Sequence, residues 1–410
     1  MNMKTSIPMF FKSHLLSRLF FLLSIFMLSC NSDGADYVVS TSNPSDLVRI
    51  SETIEIALSD IKDISESAFE DLVICDGQDK EVLSQLIDMN QDSIYDHIIF
   101  QTDFEPNEAK TFTLAIGETS AQKEKPTLHT FCRIIPERID DFAWENDKVA
   151  FRTYGPECQR MFEEGIPGGL ISSGIDAWTK RVDYPVINKW YKADQDGISY
   201  HEDHGEGLDA YHVGTTRGCG GTAILIDSTY VLSENFTNWN VLANGPIRSV
   251  FELIYAPIEA SEQSVREKKR ITLDLGSNLY LSEVSYNAKS PVRFAAVGLA
   301  LHEGKGTTNQ NLKEGWVSYW EPYDDSELGT AILVNPEILD GIKVKDTLSD
   351  DESFNNVWAN VEVKNNTFDY WAGFGWKKSA DFDSREEWEE YLKKEYLKKK
   401  LPIEVKITKN

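Results

Sequence analysis

Short runs in which apolar and polar residues alternate recur along most of this sequence, and turn-forming residues separate them. Period-two runs that are rich in Val, Ile, Phe and Tyr predict half-buried β-strands. The 3.6-residue periodicity of amphipathic helices is nearly absent between these runs. We therefore expect a mostly β protein in which antiparallel sheets pack face to face.

The alternating runs fall into two groups, which predict two domains. Residues 47–117 are expected to form a small N-terminal β-sandwich. Residues 118–130 are polar and aperiodic, as in a linker. The longer runs that follow predict a large antiparallel β-sandwich, the catalytic domain, over residues 131–410.

One helix is predicted near the C-terminus. Ser384 and Glu387 have the spacing of a capping box. Trp388, Tyr391 and Leu392 then share one helical face. This helix is expected to pack its aromatic face on the large domain.

The first 29 residues are similar to a secretory signal. Three basic residues precede an apolar run at 19–28, which is shorter than the roughly 18 residues that span a bilayer. The run ends Met27-Leu28-Ser29 and is followed by Cys30, and a small residue before such a cysteine is typical of lipoprotein processing. We expect lipidation at Cys30, a tether over residues 30–46 and anchoring to the periplasmic or cell-surface face of the outer membrane. A cleaved signal followed by a chance cysteine is the alternative.

The chain is strongly acidic, with 41 Lys and Arg against 67 Asp and Glu and a net charge of −26. Such a field repels phosphate backbones, so nucleic acid is not an expected partner. Screening acts over about 8–10 Å, which leaves converging cations able to bind an anionic sugar locally. The charge therefore requires any site for an acidic oligosaccharide to gather several cations.

The cysteines after the signal are Cys75, Cys132, Cys158 and Cys219. An exported compartment permits disulfides, and four cysteines allow three full pairings. The sequence does not choose among these pairings, and free thiols suit it equally well. Because no Cys-x-x-Cys pair occurs, a structural zinc site is not expected.

Two segments carry residues that bind metals in other proteins. The loop at 88–96 has oxygen side chains at alternate positions, as in a calcium loop, but it lacks the usual Gly and closing Glu. A polar hairpin is favoured there. His201 and His204, with Glu206 or Asp209, offer ligands for zinc outside a helical arrangement. We expect no cofactor to be required and leave bound Ca²⁺ or Zn²⁺ open.

Titratable residues are concentrated at 200–221, where His201, His204 and His212 lie among glycines. Glycines allow a ligand to approach the backbone, and such loops often carry function. The candidate catalytic residues are His204, Tyr211 and Arg217. Glu206 and Asp209 are candidate substrate-binding residues. An acidic surface loop is the alternative interpretation.

Aromatic and cationic residues are concentrated a little earlier in the chain. Aromatic rings stack on the C–H faces of sugars, and Arg and Lys bind carboxylate or sulfate. The further candidate substrate-binding residues are Arg152, Tyr154, Trp178, Lys180 and Arg181. The alternative for Trp178 is a place in the core.

Several strings in this sequence resemble an exported bacterial family catalogued as a domain of unknown function. The strings are residues 141–147, 152–156, 174–181, 203–209, 217–221 and 370–376. The similarity runs from about residue 40 to 400. That family occurs among polysaccharide-degrading genes and includes an oligosaccharide dehydratase that acts on ulvan fragments. The large domain is expected to resemble the galactose-mutarotase superfold.

The resemblance implies a carbon–oxygen lyase that removes water from the non-reducing-end uronic acid of acidic oligosaccharides and leaves an unsaturated uronyl end. Such a reaction needs a base for the proton α to the carboxylate, an acid for the leaving hydroxyl and cations for the carboxylate. We expect His204 or Tyr211 as acid or base and Arg217 or Arg152 as the carboxylate clamp, in one shared pocket. The alternatives are a polysaccharide lyase, a non-catalytic glycan-binding lipoprotein and a mutarotase-like epimerase.

Overall fold

The computed structural model describes residues 37–117, 126–260, 263–345 and 347–410. The predicted signal, Cys30 and residues 118–125 of the predicted linker lie outside the described residues. In the described part of the chain, no helix has the length and apolar character needed to cross a membrane.

Strands account for most of the regular structure. The first part of the chain contains β1 (Tyr37–Ser42), β2 (Arg49–Ala57), β3 (Leu72–Cys75), β4 (Glu81–Val82), β5 (Ser84–Ile87), β6 (His97–Phe104) and β7 (Ala109–Ile116). The next part contains β8 (Phe131–Ile135), β9 (Asp141–Glu145), β10 (Ala150–Thr153), α1 (Pro156–Glu163), β11 (Asp176–Lys180), α2 (Ile187–Gln195), β12 (Gly207–Leu208), β13 (Cys219–Ile226) and β14 (Thr229–Val231). The last part contains β15 (Phe236–Asn244), β16 (Arg248–Tyr255), β17 (Ile258–Ala260), β18 (Gln263–Asp274), β19 (Leu279–Asn287), β20 (Phe294–Ala300), β21 (Thr307–Asn311), β22 (Trp316–Tyr323), β23 (Ser326–Val334), β24 (Leu339–Lys343), β25 (Asn356–Glu362), β26 (Thr367–Trp376), α3 (Arg385–Lys400) and β27 (Glu404–Lys409).

The small unit is a β-sandwich, as predicted. One of its sheets has the strand order β27-β1-β7-β3-β4, and the facing sheet has the order β2-β6-β5. Val39, Ile54, Phe100 and Leu114 belong to one buried cluster between the sheets. Alternation along the strands places these side chains inside and their polar neighbours outside.

The ends of the small unit differ from the predicted division of the chain. Strand β1 begins at Tyr37, within the predicted tether, because Tyr37 and Val39 alternate with more exposed neighbours and are buried. The C-terminal strand β27 pairs with β1, so that Val39 lies opposite Ile407. Residues 404–409 were predicted to belong to the large domain, but they complete a sheet of the small unit.

In its described part, the large unit contains three sheets that share a core. Their strand orders are β12-β11-β10-β9-β8, β14-β13-β20-β25-β24, and β15-β16-β18-β19-β26-β23-β22-β21 with β17 beside β18. Phe151, Phe251, Tyr280, Val297 and Phe374, from different strands, lie in one buried cluster. Neighbouring strands pair antiparallel in each sheet. The mostly β fold with a large antiparallel sandwich is confirmed.

The predicted helix near the C-terminus is α3. The Ser384 hydroxyl accepts a hydrogen bond from the Glu387 backbone N–H at 3.3 Å. Trp388 and Leu392 are buried in a cluster with Trp316 and Trp320 of β22. The short helices α1 and α2 were not predicted, because each is too short to display a sustained apolar period.

Two local expectations concern cysteines and metals. Cys132, Cys158 and Cys219 are buried free thiols, so none of the full pairings of four cysteines forms. The loop at 88–96 is a polar turn between β5 and β6, where the Asp88 carboxylate accepts backbone N–H groups of Gln91 and Ser93 at 2.6 and 2.9 Å. Over the described ranges, no group of three or more His, Cys, Asp or Glu side chains is arranged to hold a metal ion.

Candidate active site

Two neighbouring cavities lie beside the segment that follows β12. The first cavity has a volume of about 480 Å³ and the second about 550 Å³, within the range of about 300–1,000 Å³ that is typical of small-ligand sites. The first is lined by Arg138, Arg152, Tyr154, Cys158, Gly168, Leu170, His201, Asp209, Ala210, Tyr211, His212, Val213 and Gly214. The second is lined by Ala210, His212, Thr216, His302, Glu303, Lys305, Glu321, Pro322, Tyr323, Asp324, Glu352 and Asn355. Residues 210–212, which we call the dividing segment, run between them.

Arg152 is the buried cation at the base of the first cavity. Antiparallel pairing of β10 and β11 places Arg152 directly opposite Asp176, and the two side chains are 2.5 Å apart. The same guanidinium contacts Asp209 at 3.0 Å and Asp141 at 3.7 Å. Trp178 lies against the guanidinium face, 5.2 Å from ring centre to carbon. Burial, ion pairing and stacking together hold this side chain in one orientation.

The carboxyl groups around Arg152 have pKa values above the usual range of aspartate. Burial raises the pKa of Asp141 to about 7, although Arg152 opposes the shift. Burial and the neighbouring Asp209 charge raise the pKa of Asp176 to about 7. Burial also raises the pKa of Asp209 to about 6 against the effect of Arg152. This cluster therefore exchanges protons close to neutral pH, as acid–base sites in enzymes do.

Arg138 is a second cation that lines the first cavity. It ends the 3₁₀ turn Pro136–Arg138, and the next two residues, Ile139 and Asp140, have φ of 46° and 58°. Its Nε donates to the Tyr200 hydroxyl at 3.2 Å. Its terminal nitrogens donate to none of the residues that the structure describes, so they are available to an anionic ligand.

His201 presents a free ring nitrogen at the first cavity. Its Nδ1 is 2.7 Å from the Asp209 backbone oxygen, which fixes the proton on Nδ1 and leaves a lone pair on Nε2. No described residue bonds to that Nε2, and the side chain is 57% exposed. A histidine held in this way is suited to accept a proton from a ligand.

Tyr211 belongs to the dividing segment and lines the first cavity. Its side chain is buried, and its hydroxyl finds no hydrogen-bond partner within the described ranges. Burial raises the pKa of this hydroxyl well above its usual value, so it stays protonated. Tyr211 thus brings a protonated hydroxyl without a described partner to the wall of the first cavity, beneath its accessible surface.

His302 and Glu321 form a partly buried pair at the second cavity. His302 Nδ1 is 2.6 Å from Glu321 Oε1, and its Nε2 is 2.9 Å from the His212 backbone oxygen. Burial alone lowers the pKa of His302, but the Glu321 carboxylate outweighs that effect and raises it. The ring also meets the Tyr211 ring edge-on at 4.6 Å. His302 thus holds the dividing segment in place.

Several predicted residues come together in the first cavity. Arg152, Tyr154, Asp209 and Tyr211 line it side by side. Trp178 is fully buried beneath Arg152, so it belongs to the core and is not exposed for stacking on a sugar.

The predicted shared pocket of His204 and Arg217 does not form. His204 lies on the exposed loop before β12, where its Nε2 is 3.1 Å from the Ser199 backbone oxygen. Arg217 lies inside the sandwich, where it donates to the Ser173 hydroxyl and the Thr215 carbonyl at 2.8 and 3.0 Å. Burial lowers the pKa of Arg217 to about 10. Neither residue lines the first or the second cavity.

The remaining predicted residues stabilise loops. The Lys180 ammonium is buried and contacts Glu145 at 3.2 Å. Arg181 forms a two-point ion pair with Asp203. Glu206 accepts hydrogen bonds from neighbouring side chains that include Trp190. None of these three predicted residues lines either cavity, because their partners turn them away from it.

The sequence interpretation missed Arg138, His302 and Glu321 and considered His201 only as a metal ligand. Arg138 stands just ahead of the string at 141–147, and that proximity was the available signal. His302 and Glu321 lie about a hundred residues after the dense segment, and nothing local distinguishes them. They reach the site through the pairing of β20 and β22 with other strands of the large unit.

A larger cavity, of about 820 Å³, lies between the small unit and the start of the large one. Its described lining includes Glu70, Tyr95 and His129, and amide, hydroxyl and apolar groups form most of the remainder. It lacks the cluster of cations and carboxylates that surrounds the first cavity. Of these cavities, the first is therefore the better candidate for a functional site.

Comparison with known proteins identifies the family. Residues 41–405 match the family model described as Domain of unknown function (DUF4861). This chain belongs to the DUF4861 family. A relative from Formosa agariphila, named Uncharacterized protein P7, is 41% identical to it over 398 residues, which cover 96% of this chain and 99% of the relative.

Two solved structures from Enterococcus faecalis have a backbone that is partly similar to that of this chain. They are a protein in the Glycosyl Hydrolase Family 38 and an alpha-mannosidase from strain V583, at 11% and 12% identity and a TM-score of 0.49 each. They cover 91% and 92% of the DUF4861 chain, which spans 47% of each of theirs.

Proposed function

We propose that this DUF4861 protein removes water from the non-reducing-end uronic acid of acidic oligosaccharides such as ulvan fragments, in the first cavity. One observation carries the proposal. The free terminal nitrogens of Arg138, the free Nε2 of His201 and the unpartnered hydroxyl of Tyr211 belong to residues that line the same cavity. A cation, a base and a proton donor are the parts that this elimination needs.

Each group has a role that fits its surroundings. Arg138 binds the sugar carboxylate and stabilises the negative charge that develops when the adjacent C–H bond breaks. His201 Nε2 takes the proton α to the carboxylate, and Tyr211 donates a proton to the hydroxyl on the next carbon. The C–H and C–O bonds break, a C=C bond forms between the two carbons, and water leaves. Asp209 supports His201 and exchanges protons near neutral pH.

The proposed setting is an exported lipoprotein that is lipid-anchored through Cys30 to the outer membrane. The basic and apolar leader and the small residue Ser29 before Cys30 support it. Acidic oligosaccharides are the proposed partners.

A pair of histidines from one loop gives a matched test of the proposed base. His201→Ala removes the free Nε2 and is expected to lower kcat by roughly 10²–10⁴-fold, the usual contribution of a positioned acid or base. His204→Ala, an exposed residue outside both cavities, is expected to leave kcat within about twofold. The assay follows the ultraviolet absorbance of the conjugated uronyl end, together with product masses.

Product masses separate the proposal from the alternatives. Dehydration removes one water from an oligosaccharide of unchanged length, whereas a lyase splits the chain. Binding without any change in mass would instead indicate a glycan-binding protein. Equal activity of His201→Ala and His204→Ala would exclude His201 as the base.

A further inference from the structure

We propose that His302 is a positioning residue for Tyr211, and that it holds the dividing segment near neutral pH as a ring protonated on both nitrogens. The positioning role rests on the proposed function, because it takes Tyr211 as the proton donor of the elimination. The protonation of His302 concerns the protein alone, so it can be tested without any substrate.

Both ring nitrogens of His302 face oxygen atoms. Nδ1 is 2.6 Å from Glu321 Oε1, and Nε2 is 2.9 Å from the His212 backbone oxygen. A backbone oxygen and an ionised carboxylate accept hydrogen bonds and have no proton to donate. Because a neutral ring has one N–H, one of its two contacts would set a lone pair against an oxygen. The doubly protonated ring donates to both partners at once.

The charged groups around His302 favour the doubly protonated ring. Burial alone would lower the pKa of His302, but the hydrogen bond and the charge of Glu321 outweigh that effect and raise it, and Asp176 of β11 raises it further. Burial also raises the pKa of Glu321 against the effect of His302, so the two groups titrate as one pair. The other titratable groups near the ring are Tyr211, Tyr319, Tyr323, the Glu303–Lys305 and Asp324–Lys378 ion pairs and the Glu352–His212 contact. Glu321 is therefore the group that most strongly favours a charged ring.

His302 and Glu321 are attached to the sheets of the large unit. Leu301, next to His302, donates its N–H to the Asn355 carbonyl at 3.0 Å and accepts a hydrogen bond from the Tyr319 hydroxyl at 2.9 Å. Glu321 belongs to β22, which pairs with β23 along its length. Because both members of the pair are held in this way, loss of a contact is expected to move the dividing segment and to leave His302 in place.

The dividing segment, in contrast, depends on contacts with side chains, because it has no regular secondary structure. The Ala210 N–H donates to the Tyr323 hydroxyl at 2.9 Å, and the His212 carbonyl accepts from His302. Tyr211 lies between these two anchors, and its ring meets the His302 ring edge-on at 4.6 Å. The position of the Tyr211 hydroxyl in the wall of the first cavity thus depends on both anchors.

Loss of a proton from His302 releases one anchor. As the pH rises through the pKa of the ring, one N–H remains, and either the Glu321 contact or the His212 contact becomes repulsive. The His302 side chain is 16% exposed, so its proton can exchange with solvent. The raised pKa means that the dividing segment is held below that pKa and loosens above it.

Selective ¹⁵N labelling of histidine tests the protonation directly. The ring-nitrogen signals of a doubly protonated ring differ from those of a neutral ring, and His302→Phe identifies the His302 signals by their loss. We expect the His302 ring to titrate above about 6.5, the ordinary value, in wild type and below it in Glu321→Gln. A wild-type midpoint at or below that value, or equal midpoints in the two proteins, would overturn the proposal.

Glu321→Gln also separates the pH effect from a merely structural one. Its amide can donate to Nδ1 of a neutral His302, whose Nε2–H still donates to the His212 carbonyl, so the anchor persists at high pH. Hydrogen exchange of the Ala210 amide, corrected for the intrinsic rate, should become about tenfold faster between about pH 6 and pH 9 in wild type. It should stay nearly constant in Glu321→Gln. Equal pH dependence in both proteins would contradict the anchor.

The matched control is His97→Gln. His97 pairs with Glu55 at 3.4 Å in the small unit, outside both cavities. This variant should keep the wild-type pH dependence of exchange at Ala210. A loss of that dependence in His97→Gln would show that the effect is not specific to His302.

The pH profile of kcat/KM for uronic-acid oligosaccharides connects the anchor to Tyr211. We expect kcat/KM to fall about tenfold on the alkaline side in wild type and in His97→Gln, and to stay nearly constant there in Glu321→Gln. A flat wild-type profile with pH-dependent exchange would overturn the positioning role. Absent turnover, with the expected titration and exchange, would overturn the dehydratase proposal and leave the doubly protonated His302 established.

Discussion

At the scale of single residues, the two arginines of the first cavity differ in how fully their guanidinium groups are paired with carboxylates. Arg152 is enclosed by Asp141, Asp176 and Asp209, so its charge is already balanced. Arg138 is half buried, and its terminal nitrogens bond to none of the described residues. A substrate carboxylate that binds Arg138 displaces fewer existing contacts than one that binds Arg152. Arg138 is therefore better suited to bind that carboxylate.

We expect Arg138→Gln to lower kcat/KM for uronic-acid oligosaccharides by roughly 10²–10³-fold. The charge on the carboxylate grows as the proton leaves, so the lost cation costs most in the transition state. Steady-state kinetics measure the effect. Arg385→Gln removes an arginine of α3 that pairs with Glu386 outside both cavities and should keep kcat/KM within about twofold. Equal losses in both variants would remove Arg138 from the site.

At the scale of elements, one strand pairing and one close backbone contact position the side chains of the site. The pairing of β10 with β11 sets Arg152 opposite Asp176. The turn that carries Arg138 continues through Asp140, whose backbone oxygen lies so close to Gly155 that a Cβ there would be 1.9 Å away. Only glycine permits this approach, and it presses the turn against the start of α1.

Gly155→Ala therefore tests whether the turn positions Arg138. The added methyl group must displace the turn, which we expect to destabilise the protein by about 1–3 kcal/mol and to lower kcat/KM. Urea unfolding and steady-state kinetics provide the two measurements.

The control is Gly77→Ala, where the nearest atom to the new Cβ would be 3.8 Å away. This variant should stay within about 0.5 kcal/mol of wild type. A Gly155→Ala protein with wild-type kinetics would show that the turn does not set the position of Arg138.

At the scale of the whole molecule, a strongly acidic protein buries part of its negative charge around Arg152. The raised pKa values of Asp141, Asp176 and Asp209 mean that the folded protein binds more protons than the unfolded chain between about pH 4 and pH 7. The stability contribution of this cluster therefore falls as the pH rises through that window. The same raised pKa values that lower the stability contribution near neutral pH keep protons on these carboxyl groups in that range.

Asp141→Asn should flatten this decline, because the amide keeps the shape of the side chain and does not titrate. Urea unfolding at a series of pH values between about 4 and 8 measures the slope. Asp350→Asn changes an exposed residue and should keep the wild-type slope. An unchanged slope for Asp141→Asn would show that Asp141 ionises normally in the folded protein.

Local sequence patterns were sufficient for much of the fold. Alternation predicted the sandwich strands, and neighbouring strands such as β9 and β10 pair as hairpins, here with the Asn146 backbone N–H bonded to the Val149 carbonyl. Ser384 and Glu387 predicted the start of α3. The pairing of β27 with β1 could not be predicted, since strand partners about 365 residues apart leave no local signal.

For the candidate site, the sequence alone determined which segments of the chain contribute to it. The segment at 200–221, rich in titratable residues, and the strings around Arg152 supply Asp209, Tyr211 and Arg152 to one cavity. Composition and spacing carry that information because they are local. Only the tertiary structure decided that His204 faces solvent, that Arg217 is enclosed in the sandwich, and that Arg138 and His302 flank the cavities. Side-chain direction and strand order set those outcomes, and both arise from packing between parts of the chain that are far apart in sequence.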